Sequence, residues 1–195
     1  MNCRKTLHVA LIVVLSLVML AGLAFGGPFT VIRYQLFHWE TGAWVEYLPA
    51  GPMPAGGHQP GTNIWRYDYM VYNSGTPQPI QQIYMFFNSD NVAMDATWIG
   101  DVAPAGLTTA QVGPFEPDFN WKERFIASGS VYYIGTGDSL EGFSVEFTWT
   151  KPILPGSQIY GAVFSGGCES GQTLHKTEPP ATTTTSWGDI KQIYR

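Results

Sequence analysis

Cysteine is almost missing from this chain. Of 195 residues only Cys3 and Cys168 are cysteines. Cys3 precedes a long apolar run and is expected to leave with it, so no intrachain disulfide can form in what remains. The fold must then be held by its core. Cys168, in SGGCESG, reads as a free thiol in an exposed loop, with an intermolecular bridge as the alternative. Charge is scarce too: Asp, Glu, Lys and Arg make up 13% of the residues, the net charge is −5, and no run of like charge occurs. A dispersed acidic surface argues against nucleic acid or an anionic membrane as partner. Outside the N-terminus no window of about 11 residues carries apolar residues at helical spacing.

Metal and nucleophile patterns are also lacking. His38, His58 and His175 stand far apart, and one remaining cysteine gives no zinc spacing. The stretch NSDNVAMD offers the hard oxygens of Asp90, Asn91 and Asp95, but not in the Asp-x-Asn-x-Asp-Gly order. It reads as an Asx-rich turn, with a calcium site as the alternative. There is no Gly-x-Ser-x-Gly elbow, and GTGDSLEG lacks the lysine of a phosphate loop. No catalytic residue, cofactor or metal ligand is expected.

What the N-terminus does contain is Arg4 and Lys5, then apolar residues from Val9 to Phe25 interrupted by Ser16, then Ala24-Phe25-Gly26. This is the pattern of a signal peptide, and cleavage is expected after Gly26. An uncleaved anchor is the rival, but the run is shorter than the roughly 20 residues a span needs. Cleavage leaves about 170 residues, a size that suits one domain. The expected organisation is a signal peptide at 1–26, a β-sandwich at 27–176 and a Pro/Thr-rich tail at 177–195.

The body reads as strands. Strand-forming residues dominate Phe29–Trp39, Ala43–Leu48, Ile64–Tyr72, Ile80–Phe87, Ala96–Ile99, Trp121–Ala127, Ser130–Ile134, Gly142–Trp149 and Ser157–Phe164. Between them lie NSGTPQP, NSDN, APAG and PILPG, which is turn chemistry. Trp65, Tyr67, Tyr69 and Val71 alternate with Arg66 and Asp68. Phe143, Val145, Phe147 and Trp149 alternate with Ser144, Glu146 and Thr148. Period-two alternation in many short segments predicts half-buried antiparallel strands, hence an all-β, two-sheet sandwich of immunoglobulin-like or jelly-roll-like kind.

Before the last of these strands, Gly137 and Asp138 favour a turn, Leu140 is placed to reach the core edge, and Gly142 permits a bulge. Asp138 and Glu141 are two carboxylates near a turn with no visible partner for acid–base work, and they read as turn residues. Two segments stand apart. PAGPMPAGGHQPG, residues 49–61, is either a mobile connector or part of a binding surface. The ending TEPPATTTTSWGDIKQIYR carries Trp187, Ile190 and Tyr194 at i, i+3, i+7, which fits a docking turn or a recognition tail.

Aromatics remain. Trp65, Tyr67, Tyr69 and Trp149 fall on core faces. Tyr72, Tyr84, Trp98 and Trp121 are less easily buried, and exposed flat rings on a sandwich can stack on sugars.

WRYDYMVYNSGTPQPIQQIYMFF, VAPAGL, NWKERFIASGS, GDSLEGFSVEF and ILPGSQIY occur in this order across residues 64–164. In that order they resemble an uncharacterised group of exported bacterial sandwich domains, in which a Gly-x-Ser-Leu-x-Gly-Phe-Ser piece opens a late core strand. Proteins of that group often carry a short C-terminal sorting or anchoring tail, whereas this chain ends without an apolar helix followed by basic residues. The resemblance implies fold and export, and no reaction. The expected protein is a secreted or cell-surface, non-catalytic sandwich with a structural, adhesive or interaction role. Its partner is an extracellular protein or glycan, and its mature chain does not span a membrane. A carbohydrate-binding module is the alternative, and an extracellular glycan-active enzyme comes third.

Overall fold

The alternation in IWRYDYMVYN decides the centre of the molecule. Trp65, Tyr67, Tyr69 and Val71 are buried while Arg66, Asp68 and Met70 stay half-exposed, because successive side chains of a strand leave opposite faces. The computed structural model describes residues 29–59, 61–75, 78–88, 96–112 and 119–178. The expected signal peptide, Asp90, Asn91 and Asp95, and the tail beyond residue 178 lie outside them. So does the side chain of Trp121. No helix among the described residues is long and apolar enough to cross a membrane.

Among the described residues there are eleven strands: β1 (Thr30–Glu40), β2 (Ala43–Tyr47), β3 (Ile64–Asn73), β4 (Ile80–Asn88), β5 (Ala96–Val102), β6 (Leu107–Val112), β7 (Phe119–Ala127), β8 (Ser139–Trp149), β9 (Ile159–Phe164), β10 (Gly167–Gln172) and β11 (Leu174–His175). A six-stranded sheet runs β11-β1-β3-β8-β5, with β2 also paired to β1, and a five-stranded sheet runs β10-β9-β4-β7-β6. Every pairing is antiparallel except the short parallel contact of β1 with β11. The expected β-sandwich is what the chain forms. The core lies between the sheets, built from Ile32, Leu36, Val71, Val145 and Phe147 of one and Ile83, Met85, Phe87 and Phe125 of the other.

Three local expectations need correction. Ser130–Ile134 is not a strand: Ser130–Tyr132 is a single 3-10 turn, and Ile134 alone pairs, with Ile80. Val131 and Tyr132 stay exposed, so neither supplies a buried face for a strand. SGGCESG is not a free loop. It forms β10, in register with β9, and leaves Cys168 exposed opposite Val163. Tertiary pairing overrides the poor strand propensity of its glycines. Residues 49–59, with 61 and 62, are no loose connector. The Trp65 indole donates to the Gly57 carbonyl at 2.8 Å, Gly57 is buried, and Met53 packs on the core.

Gly142 does supply the bulge. It takes φ +94°, and the β3–β8 register slips beside it, from Tyr69 opposite Phe143 to Met70 opposite Glu141. The slip keeps Phe143, Val145, Phe147 and Trp149 facing inward. Ser144, expected to face water, is mostly covered where β5 lies beside it.

The core is unusually rich in tyrosine, and each hydroxyl must find a partner. Tyr67 donates to the Gly156 carbonyl at 2.6 Å. Tyr69 bonds Oε1 of Gln158, and Tyr160 bonds the Thr30 carbonyl. Burial pushes all three hydroxyls above the usual tyrosine range. The Tyr160 bond runs from β9 of one sheet to β1 of the other. Gly171 makes room for it, since a Cβ there would sit 2.7 Å from the Tyr160 hydroxyl. Tyr160→Phe is expected to lower stability by about 1–3 kcal/mol by orphaning the Thr30 carbonyl. In urea, the midpoint should fall with the slope unchanged; an unmoved midpoint would show that the bond is replaceable.

Candidate functional site

Antiparallel register puts directly opposed residues on one face. On the solvent face of the six-stranded sheet, one row runs Gln35, Asp68, Ser144, Val102 across β1, β3, β8 and β5. The adjacent rows bring Phe37, Arg66 and Glu146 together on one side, and Arg33, Met70 and Glu141 on the other. Of these residues all but Phe37 and Glu146 line an open groove of about 520 Å³, walled on one side by Arg33 and Lys176.

Beyond Arg66, on the same face, lies the β1–β2 hairpin. Thr41 (φ 47°) and Gly42 (φ 89°) close it as a two-residue turn between Glu40 and Ala43. Positive φ at both central positions is the type I′ geometry whose twist matches the strands. The turn sets Trp39 opposite Trp44 on the solvent face, ring centroids 5.2 Å apart and edge to face. The Arg66 guanidinium lies 4.5 Å over Trp44 and 5.0 Å over Phe37, while Trp39 keeps 40% of its surface exposed. Beneath the hairpin, Glu40 accepts from Tyr47 at 2.5 Å and lies 3.1 Å from His38 Nδ1. The Tyr47 bond, then that to His38, holds the Glu40 carboxyl below its usual range. His38 in turn packs on Trp65 at 4.5 Å, so the hairpin is anchored from its inner side.

The charges in the groove answer one another. Arg66 Nη2 donates to Asp68 at 3.0 Å, and its Nε lies 2.9 Å from the second carboxylate oxygen. Burial raises the Asp68 pKa and Arg66 opposes it. Lys176 meets Glu46 at 2.5 Å and holds that carboxyl low, with Gln35 donating to the same group at 3.3 Å. Arg33 donates to the carbonyls of Lys176 (3.0 Å) and Glu178 (2.6 Å), which ties the end of the described chain to β1.

The residues singled out from sequence scatter. Glu141 lines this groove, but Asp138 belongs to a separate hollow beside Tyr132, so the two carboxylates are not brought together. His38 packs on Trp65, and His175 meets Tyr34 edge-on at 5.3 Å, with its Nδ1 2.8 Å from the Thr177 hydroxyl. Among the described residues, no group of three or more His, Cys, Asp or Glu is placed to hold a metal ion. Tyr72 is exposed, and Tyr84 and Trp98 are half-buried. Trp39 and Trp44 escaped the sequence reading. The signal for them was present: Thr-Gly at the centre of a hairpin puts the residues two before and two after on one face.

No protein-family model matches this chain, and no curated protein matches it.

One buried acid was also not foreseen. Glu123 on β7 has no exposed surface and faces inward beside Trp98 and Asp101 of β5. Burial first, and then the Asp101 charge, push its pKa up to about 7. Backbone N–H groups of Arg124 and Ala110 and the Trp98 indole pull the other way, yet neither oxygen makes a hydrogen bond of ordinary geometry.

Two expected outcomes follow from these environments. Between its ordinary value of 4.5 and about 7, the unfolded chain ionises Glu123 while the folded one keeps it protonated. Stability should therefore be highest below pH 4.5 for this group, fall as pH rises to 7, and level off beyond, by up to about 3 kcal/mol. Glu123→Gln should flatten the melting temperature between pH 5 and 8, and an unchanged slope would contradict the assignment. Thr41 holds a left-handed conformation that β-branched residues resist. Thr41→Asn is expected to stabilise the chain by roughly 1 kcal/mol in thermal unfolding.

Proposed function

We propose that this chain is an exported, non-catalytic recognition domain that works outside the cell, as a structural or adhesive component, through the solvent face of its six-stranded sheet. One observation carries the reading: an open groove crosses four strands, and its Arg66 lies over Trp44, which pairs with the exposed Trp39 across a strained two-residue turn on the same face. Strain of this kind persists where the surroundings impose it and concentrates at binding surfaces. Of the charged groups of the groove, Arg66 and Asp68 engage each other, Lys176 engages Glu46 and Arg33 engages backbone carbonyls, while Glu141 is exposed. Such groups hold and orient a ligand better than they exchange protons with one. Export rests on the N-terminal pattern of Arg4, Lys5 and the apolar run to Phe25. The resemblance to exported bacterial sandwich domains over residues 64–164 supports the same reading.

Fractionation of the native host with intact-mass analysis tests the location. The expected result is a chain beginning at Gly27, recovered from the cell surface or the medium; recovery in the cytosol with residues 1–26 attached would defeat it. Rebinding of added protein to stripped host envelopes tests the surface. Trp39→Ala with Trp44→Ala is expected to weaken rebinding at least tenfold while leaving cooperative unfolding intact.

A further inference from the structure

We infer that this face takes a neutral polysaccharide segment, seated in the groove across β1, β3, β8 and β5 and reaching past Arg66 to stack one sugar face on Trp39. The inference rests on the recognition reading above and narrows it to one ligand class.

Three observations select that class. The first is shape. The groove is open along its length and crosses the strands, and neighbouring strands lie about 4.8 Å apart, so the floor from Gln35 to Val102 spans roughly 14 Å. An open channel of that reach suits an extended chain held in its middle better than a small metabolite, which is normally enclosed. The second is charge. Arg66 is engaged by Asp68, Lys176 by Glu46, and Arg33 by backbone carbonyls. An anionic ligand would have to break these contacts, and the net charge of −5 repels polyanions from afar. A cationic ligand would find Asp68 occupied and meet Arg33, Arg66 and Lys176 beside it. The third is the pairing of donors, acceptors and apolar platforms. Gln35, Ser144 and the oriented Arg66–Asp68 pair offer both hydrogen-bond senses, as hydroxyl groups require. Met70 lines the groove, and beyond Arg66 and Trp44 on the same face the exposed Trp39 ring offers a flat apolar surface against which C–H groups can stack. Arg66 stacked over Trp44 leaves Trp39 as the more accessible ring of the pair.

Affinity electrophoresis and calorimetry with the exported chain test this. The probes are soluble neutral glucan, xylan, mannan and galactan, with polygalacturonate as the anionic comparison. The expected result is retardation by at least one neutral polymer and none by polygalacturonate. Trp39→Ala and Gln35→Ala should each weaken that binding at least tenfold, with melting temperatures within a few degrees of the parent. Val131→Ala, at the separate hollow beside Tyr132, should bind as the parent does. Binding that survives both groove variants would place the glycan on another face and overturn the inference. Preference for polygalacturonate would overturn it on charge. If no polymer is retained but Trp39→Ala still abolishes rebinding to host envelopes, the ligand is not a neutral glycan and the recognition reading stands. If the variant also leaves envelope rebinding unchanged, both fall.

Discussion

The sandwich depends on tyrosine hydroxyls that reach across it. A core of leucine and valine could be packed by volume alone. A core holding Tyr34, Tyr67, Tyr69 and Tyr160 cannot, because each ring brings a polar atom that is costly to bury without a partner. Tyr160 meets that demand at the Thr30 backbone of the other sheet. Tyr67 and Tyr69 meet it at Gly156 and Gln158, in the segment leading into β9. These bonds set how the two sheets are placed against each other, since sliding either would orphan several groups at once. The close approach of Gly171 to Tyr160 follows from the same demand.

The groove inherits its geometry from that placement. With β3 fixed by its inward tyrosines, the outward residues Arg66, Asp68 and Met70 are fixed as well, and the antiparallel partners set Gln35 and Ser144 beside them. The β1–β2 hairpin is held separately, by Glu40 between His38 and Tyr47 and by His38 against Trp65. A part-buried polar network supports one side of the hairpin while the other presents tryptophan to solvent. The unfavourable backbone at Thr41 is tolerated because pairing on both sides of the turn over-determines it.

Glu123 belongs to a different logic. It is an acid enclosed with Trp98 and near Asp101, and its proton keeps the interior neutral. It links the stability of the sandwich to pH without taking part in the groove.

The sequence by itself determined the class of fold and which faces of its central strands are buried. Period-two alternation is a local property, and in β3 and β8 it is strong enough to survive any context: Trp65 to Val71 and Phe143 to Trp149 are inside because water excludes them. The bulge at Gly142 was legible for the same reason, since only glycine accepts φ +94° without strain. Strand membership of SGGCESG was not legible, because its glycines carry no side-chain pattern and only β9 gives that backbone its partners. Nor was the groove. Gln35, Asp68, Ser144 and Val102 are far apart along the chain and become neighbours through register alone. Register is settled by long-range pairing and by the cross-sheet tyrosine bonds, so only the tertiary structure could bring the candidate binding face into being.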